Sequence, residues 1–183
     1  MLFSSTGDSS RITALIAAAL LSSALLAHAE LVGWWDFEEG SGPTTVDQSA
    51  GAHIGTLGTG ATWSTSEFAP VPTGSTASIA FDGTDLAHVL MNGYKADEVG
   101  GTSSRTLAAW IKSAPGVTVA NSNLGIFGYG ANVAGDKWNF RTQNQNGPID
   151  GNIRVEVNGG YIVGSTVVID NMWHHVAMTW EDD

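Results

Sequence analysis

Asp36, Glu38 and Glu39 place three carboxylates within four residues. A glycosidase needs two carboxyl groups facing one bond, about 5 Å apart for retention and farther for inversion. On an extended strand Asp36 and Glu38 would share a face, with Cβ atoms about 7 Å apart. The run Asp36-Phe37-Glu38-Glu39-Gly40 reads instead as a strand entering a turn, so catalysis is not expected of it. His174-His175 offers two imidazoles, but neighbours on a strand face opposite sides and cannot hold one ion from one face. His53 and His88 stand alone. Seven tryptophans suggest sugar stacking, because an indole combines a large apolar face with a polar N–H. Trp63 follows Gly60, and Trp138 follows the turn dipeptide Gly135-Asp136. These two rings, with Tyr129 between Gly128 and Gly130, are the candidate ligand platform. No phosphate-cradling glycine loop and no Gly-x-Ser-x-Gly nucleophile occurs.

Composition narrows what these residues can serve. With 43 % hydrophobic and only 14 % charged residues, the chain of 183 is too apolar for intrinsic disorder. Zero cysteines exclude disulfides, thiolate metal sites and a cysteine nucleophile. A net charge of −11 argues against nucleic acid, whose phosphates need a basic surface.

The elements that must position these side chains are short and β-prone. No mature stretch of helical length carries helical apolar spacing. Expected strands are Leu31 to Phe37, Ser78 to Phe81, Ala87 to Met91 and Arg105 to Lys112. Gly125 to Tyr129, Lys137 to Thr142, Asn152 to Val157 and Trp173 to Trp180 complete the set. Glu38 to Gly60 reads as turn, with six glycines from Gly40 onward. About nine strands separated by turn residues predict a single all-β sandwich domain.

Residues 1–29 read as an address rather than part of that fold. Ile12 to Ala27 is an uncharged apolar run of sixteen residues, followed by Ala27-His28-Ala29, a pattern that suits cleavage after Ala29. At about 1.5 Å per residue the run falls short of the roughly 30 Å hydrocarbon layer. The expectation is a signal peptide over 1–29 and a mature domain over 30–183, secreted, periplasmic or on the cell surface, with no membrane association after cleavage.

Five segments, in order, resemble the LamG-like jelly-roll domains of the concanavalin A-like lectin/glucanase group. Leu31-Val32-Gly33-Trp34-Trp35-Asp36-Phe37-Glu38-Glu39-Gly40 resembles the opening strand and turn. Val46-Asp47-Gln48-Ser49-Ala50-Gly51 and Ala77-Ser78-Ile79-Ala80-Phe81-Asp82-Gly83-Thr84-Asp85 are similar to two further motifs. Thr106-Leu107-Ala108-Ala109-Trp110-Ile111-Lys112 and Trp173-His174-His175-Val176-Ala177-Met178-Thr179-Trp180 match the remaining two. The resemblance implies a two-sheet antiparallel jelly roll, with Trp34 or Trp35, Trp110 and Trp173 in its core. It also implies a closing hairpin after Trp180, so the chain is expected to lack its last strands.

The same resemblance implies a function. Many members hold calcium on rim loops through hard oxygen ligands, and Asp47, Asp82 and Asp85 lie in the matching glycine-rich turns. The Glu-x-Asp-x-x-Glu strand of the related glucanases does not occur. A secreted, non-catalytic recognition module is expected, with a glycan or an extracellular protein as partner. The alternatives are the N-terminal fragment of a secreted glycoside hydrolase and a structural adhesion piece.

Overall fold

The structure is a computed structural model. It describes residues 30–71, 74–92, 103–117, 124–131, 133, 137–143, 151–157 and 159–181. The expected signal segment 1–29 and the Gly135-Asp136 turn lie outside the described residues. Residues Leu31–Asp183 form one compact unit.

Eleven strands and no helix occur among the described residues: β1 (Thr44–Val46), β2 (Ile54–Leu57), β3 (Ala61–Ser64), β4 (Ser78–Phe81), β5 (Val89–Asn92), β6 (Arg105–Ile111), β7 (Gly125–Tyr129), β8 (Trp138–Thr142), β9 (Asn152–Val157), β10 (Gly160–Val167) and β11 (His174–Trp180). All pair antiparallel, as sheets β1-β2-β5, β10-β9-β8-β7, β11-β6 and β3-β4.

The core lies between the last strands, an arrangement consistent with a β-sandwich. Trp138, Phe140, Val168, Val176 and Met178 form its buried centre, and Leu107, Ala109 and Ile111 of β6 and Ile153, Val155 and Val157 of β9 pack against them. β6 and β11 pair without a slip from His174↔Ile111 to Trp180↔Arg105, so period-two alternation sends Leu107, Val176 and Met178 inward together. Thr106, Ala108 and Trp110 of β6 then face outward. Trp110 is 39 % exposed, with its ring 5.2 Å from that of His175, rather than in the core that its motif implies. Directly opposed residues share a face, and on β6 that face is decided by its aliphatic neighbours.

The opening segment differs from the extended strand expected. Leu31 to Phe37 contributes only the bridge Trp35↔Asp47, and Phe37 turns to φ +57°, which ends any extended run. The stretch read as turn holds β1 and β2 instead. There Gly55 lies between Thr45 and Met91, and a Cβ on it would sit 2.7 Å from Thr45 Cγ2 and 2.8 Å from Val89 Cγ1. Only glycine lets these strands close around that point. β10 was not expected either; it is exposed along most of its length, so little apolar alternation marks it in the sequence.

Candidate functional site

The four-stranded sheet turns one face to the core and a charged one away from it. Across β8, β9 and β10 the register sets Asn139 beside Glu156 and Tyr161, and Arg141 beside Arg154 and Val163. Lys137 precedes Asn139 by two residues, and Asn152 precedes Arg154 by two, so both continue the same face. Lys137 Nζ donates to Glu156 Oε1 at 2.9 Å, and Arg141 Nη2 donates to Glu156 Oε2 at 2.8 Å. Arg154 adds its Nε to Glu156 Oε2 at 3.0 Å and its Nη1 to Gln143 Oε1 at 3.0 Å. The Arg154 guanidinium lies 3.7 Å from the centre of the Tyr161 ring. Among the described residues three cations thus share one carboxylate.

Hydrogen bonds from Lys137 and Arg141 hold the Glu156 carboxyl down at about 2, against the opposing effect of burial. Arg154 is 5 % exposed, whereas the Tyr161 ring is 57 % exposed. Arg154, Glu156, Val157, Gly159, Gly160 and Tyr161 line a shallow pocket of about 350 Å³ at the turn between β9 and β10. Farther along the face, buried Asn152 donates Nδ2 to the Gly164 carbonyl at 2.9 Å, while its Oδ1 has no partner among the described residues.

The residues singled out from the sequence lie elsewhere. Asp47, 3 % exposed, is a hub. Its Oδ1 accepts the amides of Trp34 and Ser49, each at 2.8 Å, and its Oδ2 accepts the Ser49 hydroxyl at 2.8 Å. The His53 amide at 3.3 Å and His53 Nδ1 at 3.1 Å complete the set around Oδ2. Burial alone would raise its pKa, but these bonds hold the carboxyl well below the usual carboxylate range. Asp82 Oδ1 accepts the Thr84 amide at 2.9 Å and hydroxyl at 2.7 Å, an Asx turn, and Asp85 is exposed close by in the chain. Among the described residues no three His, Cys, Asp or Glu side chains are grouped to hold a metal ion.

Trp63 is half-buried and donates its indole N–H to the Gly42 carbonyl at 2.7 Å. Trp138 is 5 % exposed, sandwiched in the core with the half-buried Tyr129 ring parallel at 6.4 Å and the Trp180 edge at 5.6 Å. The Tyr129 hydroxyl is pushed up in pKa by burial. Of the carboxylate trio, Glu38 accepts from Ser75 and from the Thr76 amide and hydroxyl, and Glu39 from the Val46 amide and Thr45 hydroxyl. Both are loop clips. His174 lies 2.8 Å from Asp170, and His175 is exposed on the opposite side.

Tyr161 is the ring that sequence reading missed. Its signal was there: alternating Val155-Glu156-Val157, the turn dipeptide Asn158-Gly159, then Tyr161-Ile162-Val163 make a hairpin pattern. Fold and face together describe an all-β antiparallel protein with a charged, aromatic-edged sheet surface. Comparison of the chain with protein-family models, with curated proteins and with solved structures finds no match.

The depressed carboxyls set an acid limit. Glu156 titrates from 4.5 when free to about 2 when folded, so its stabilisation is complete above about pH 4.5 and lost as pH falls towards 2. Thermal midpoints followed by circular dichroism should stay level from pH 7 to 5 and drop below about pH 4.5. The difference between wild type and Glu156→Gln should be largest at neutral pH and close near pH 2. A difference independent of pH would dissociate Glu156 from its cations.

Proposed function

We propose that the chain is an exported, non-catalytic recognition module that binds carbohydrate on the outward face of the four-stranded sheet, around Tyr161. The observation that carries this reading is the exposed Tyr161 ring beside Arg154 and Glu156 at the pocket. An aromatic face covers the C–H surface of a sugar ring, while guanidinium and carboxylate groups take its hydroxyls. A charged sheet face is a costly way to cover a core, so a binding role accounts for it better than a packing role.

Glu156 suits recognition rather than catalysis, because three cations keep it ionised and unable to donate a proton near neutral pH. The proposed architecture is the LamG-like jelly roll. Two of its motif segments support it by pairing residue for residue as β6 and β11. In this reading a rim calcium would draw on Asp85 and on Asp82 Oδ2, because both oxygens of Asp47, like Asp82 Oδ1, already face donors.

Glycan-array binding tests the proposal. Tyr161→Ala should leave the melting temperature nearly unchanged, because the ring is exposed, and weaken glycan binding about tenfold, roughly 1.4 kcal/mol. Unchanged glycan binding by a folded Tyr161→Ala protein would move the site away from this face.

A further inference from the structure

Resting on the carbohydrate reading, we infer that the sugar is held through two hydroxyls on neighbouring ring carbons, one donating to Glu156 Oε1 and the other accepting from Lys137 Nζ. The two oxygens of the Glu156 carboxylate are not equivalent. Oε2 accepts from Arg141 Nη2 and Arg154 Nε, on side chains 13 % and 6 % exposed, and is fixed against the sheet. Among the described residues Oε1 accepts from Lys137 Nζ alone, at 2.9 Å. A carboxylate oxygen takes two donors and an ammonium offers three hydrogens, so this pair has room for one further donor and one further acceptor. The Lys137 and Glu156 side chains are 26 % and 20 % exposed, so a ligand reaches both.

The spacing selects the ligand. An acceptor and a donor 2.9 Å apart match two gauche hydroxyl oxygens on adjacent ring carbons, and the four groups close a ring of charge-assisted hydrogen bonds. A lone hydroxyl, or two hydroxyls farther apart, leaves one protein group unanswered. Tyr161 brings the sugar to this pair. It stands directly opposite Glu156 across β9 and β10, while Asn139, two residues from Lys137, stands opposite Glu156 on the β8 side. Tyr161, Glu156 and Lys137 therefore follow one another across β10, β9 and the start of β8, strands about 4.8 Å apart. One face of the Tyr161 ring is taken by Arg154. A sugar lying on the other face sends its equatorial hydroxyls sideways, towards Glu156 and Lys137. Because Arg141 and Arg154 hold Glu156 before the ligand arrives, little side-chain freedom is lost there on binding. A ligand class follows. Chains linked through the first and fourth ring carbons keep such a hydroxyl pair free on every residue; chains linked through the first and third keep none on their internal residues.

Calorimetric titration with cellotetraose and with the mannose and galactose tetrasaccharides of the same linkage tests this. The tightest of the three is then compared with two methylated forms, one blocked on both neighbouring hydroxyls of every residue, the other on the primary hydroxyls only. Blocking the pair should weaken binding about tenfold or more, and blocking the primary hydroxyls far less. Equal losses for the two forms would overturn the inference. Lys137→Met keeps the stem and removes the donors. It should bind the tightest probe several-fold more weakly and narrow its lead over the pair-blocked form, and Lys137→Arg, which returns donors, should recover part of that lead. An undiminished lead in a folded Lys137→Met protein would also overturn the inference. Array hits without binding of any of the three tetrasaccharides would overturn it while leaving carbohydrate recognition standing. If no probe bound and the array were blank, carbohydrate recognition would fall and the inference with it.

Discussion

Replacing Asp47 with alanine is expected to cost about 3–5 kcal/mol of folding stability, the loss typical of breaking a buried charged hydrogen-bond set. The side chain is fully buried and gathers donors from Trp34, Ser49 and His53. Its backbone adds the bridge to Trp35 and a bond from its amide to the His53 carbonyl at 2.9 Å. Asp47 therefore ties the irregular opening segment to the β1–β2 hairpin, and truncation strands several amides at once. Since a domain of this size is held by about 5–15 kcal/mol, the variant should unfold at a much lower urea concentration. Asp47→Asn keeps the shape but not the charge and should fall between the two. A loss below about 1 kcal/mol for Asp47→Ala would mean that water replaces the carboxylate, and the hub would not be structural.

Phe140→Ala is expected to cost a similar 3–5 kcal/mol, for a different reason. Phe140 is 1 % exposed on β8, at the centre of the cluster that joins β8 to Val176 and Met178 of β11. Removing the ring leaves a cavity between two sheets, each held in shape by its own ladder and slow to collapse inward. Phe81→Ala gives the contrast: the Phe81 side chain is 53 % exposed on β4, and its loss should stay near 0.5 kcal/mol. Equal losses at the two sites, measured by urea unfolding, would refute the placement of the core between the β6–β11 sheet and the four-stranded sheet.

Several elements were legible in the sequence because their information is local. Gly125–Tyr129 and Asn152–Val157 are strands over the bounds expected, and Ser78–Phe81 likewise. Arg105 to Lys112 carries its own alternation, and that alternation, rather than a motif, determines where Trp110 points. Apolar alternation is weak evidence for exposed or very short strands, so β1, β2, β3 and β10 fall in stretches that read as turn or carry no strand signal. Asp47 stood out by type and by its glycine-rich setting. That setting does not distinguish a carboxylate open to a metal from one already enclosed by amides.

The sequence by itself determined an acidic, cysteine-free, all-β chain and the positions of its stronger strands, since composition and period-two patterning act within a few residues. The tertiary structure alone decided which polar groups meet. Lys137 and Arg141 lie far along the chain from Arg154 and Glu156, and the register of β8 on β9 brings them onto one carboxylate. That register is a long-range property of paired backbones, and a slip of one residue would have sent those side chains to the opposite face of the sheet. Tyr161 came to the same face by the same rule, through the pairing of β9 with β10. Burial made the opposite choice for Trp138, which looked like a surface ring beside a turn and became core because its strand turns that side inward.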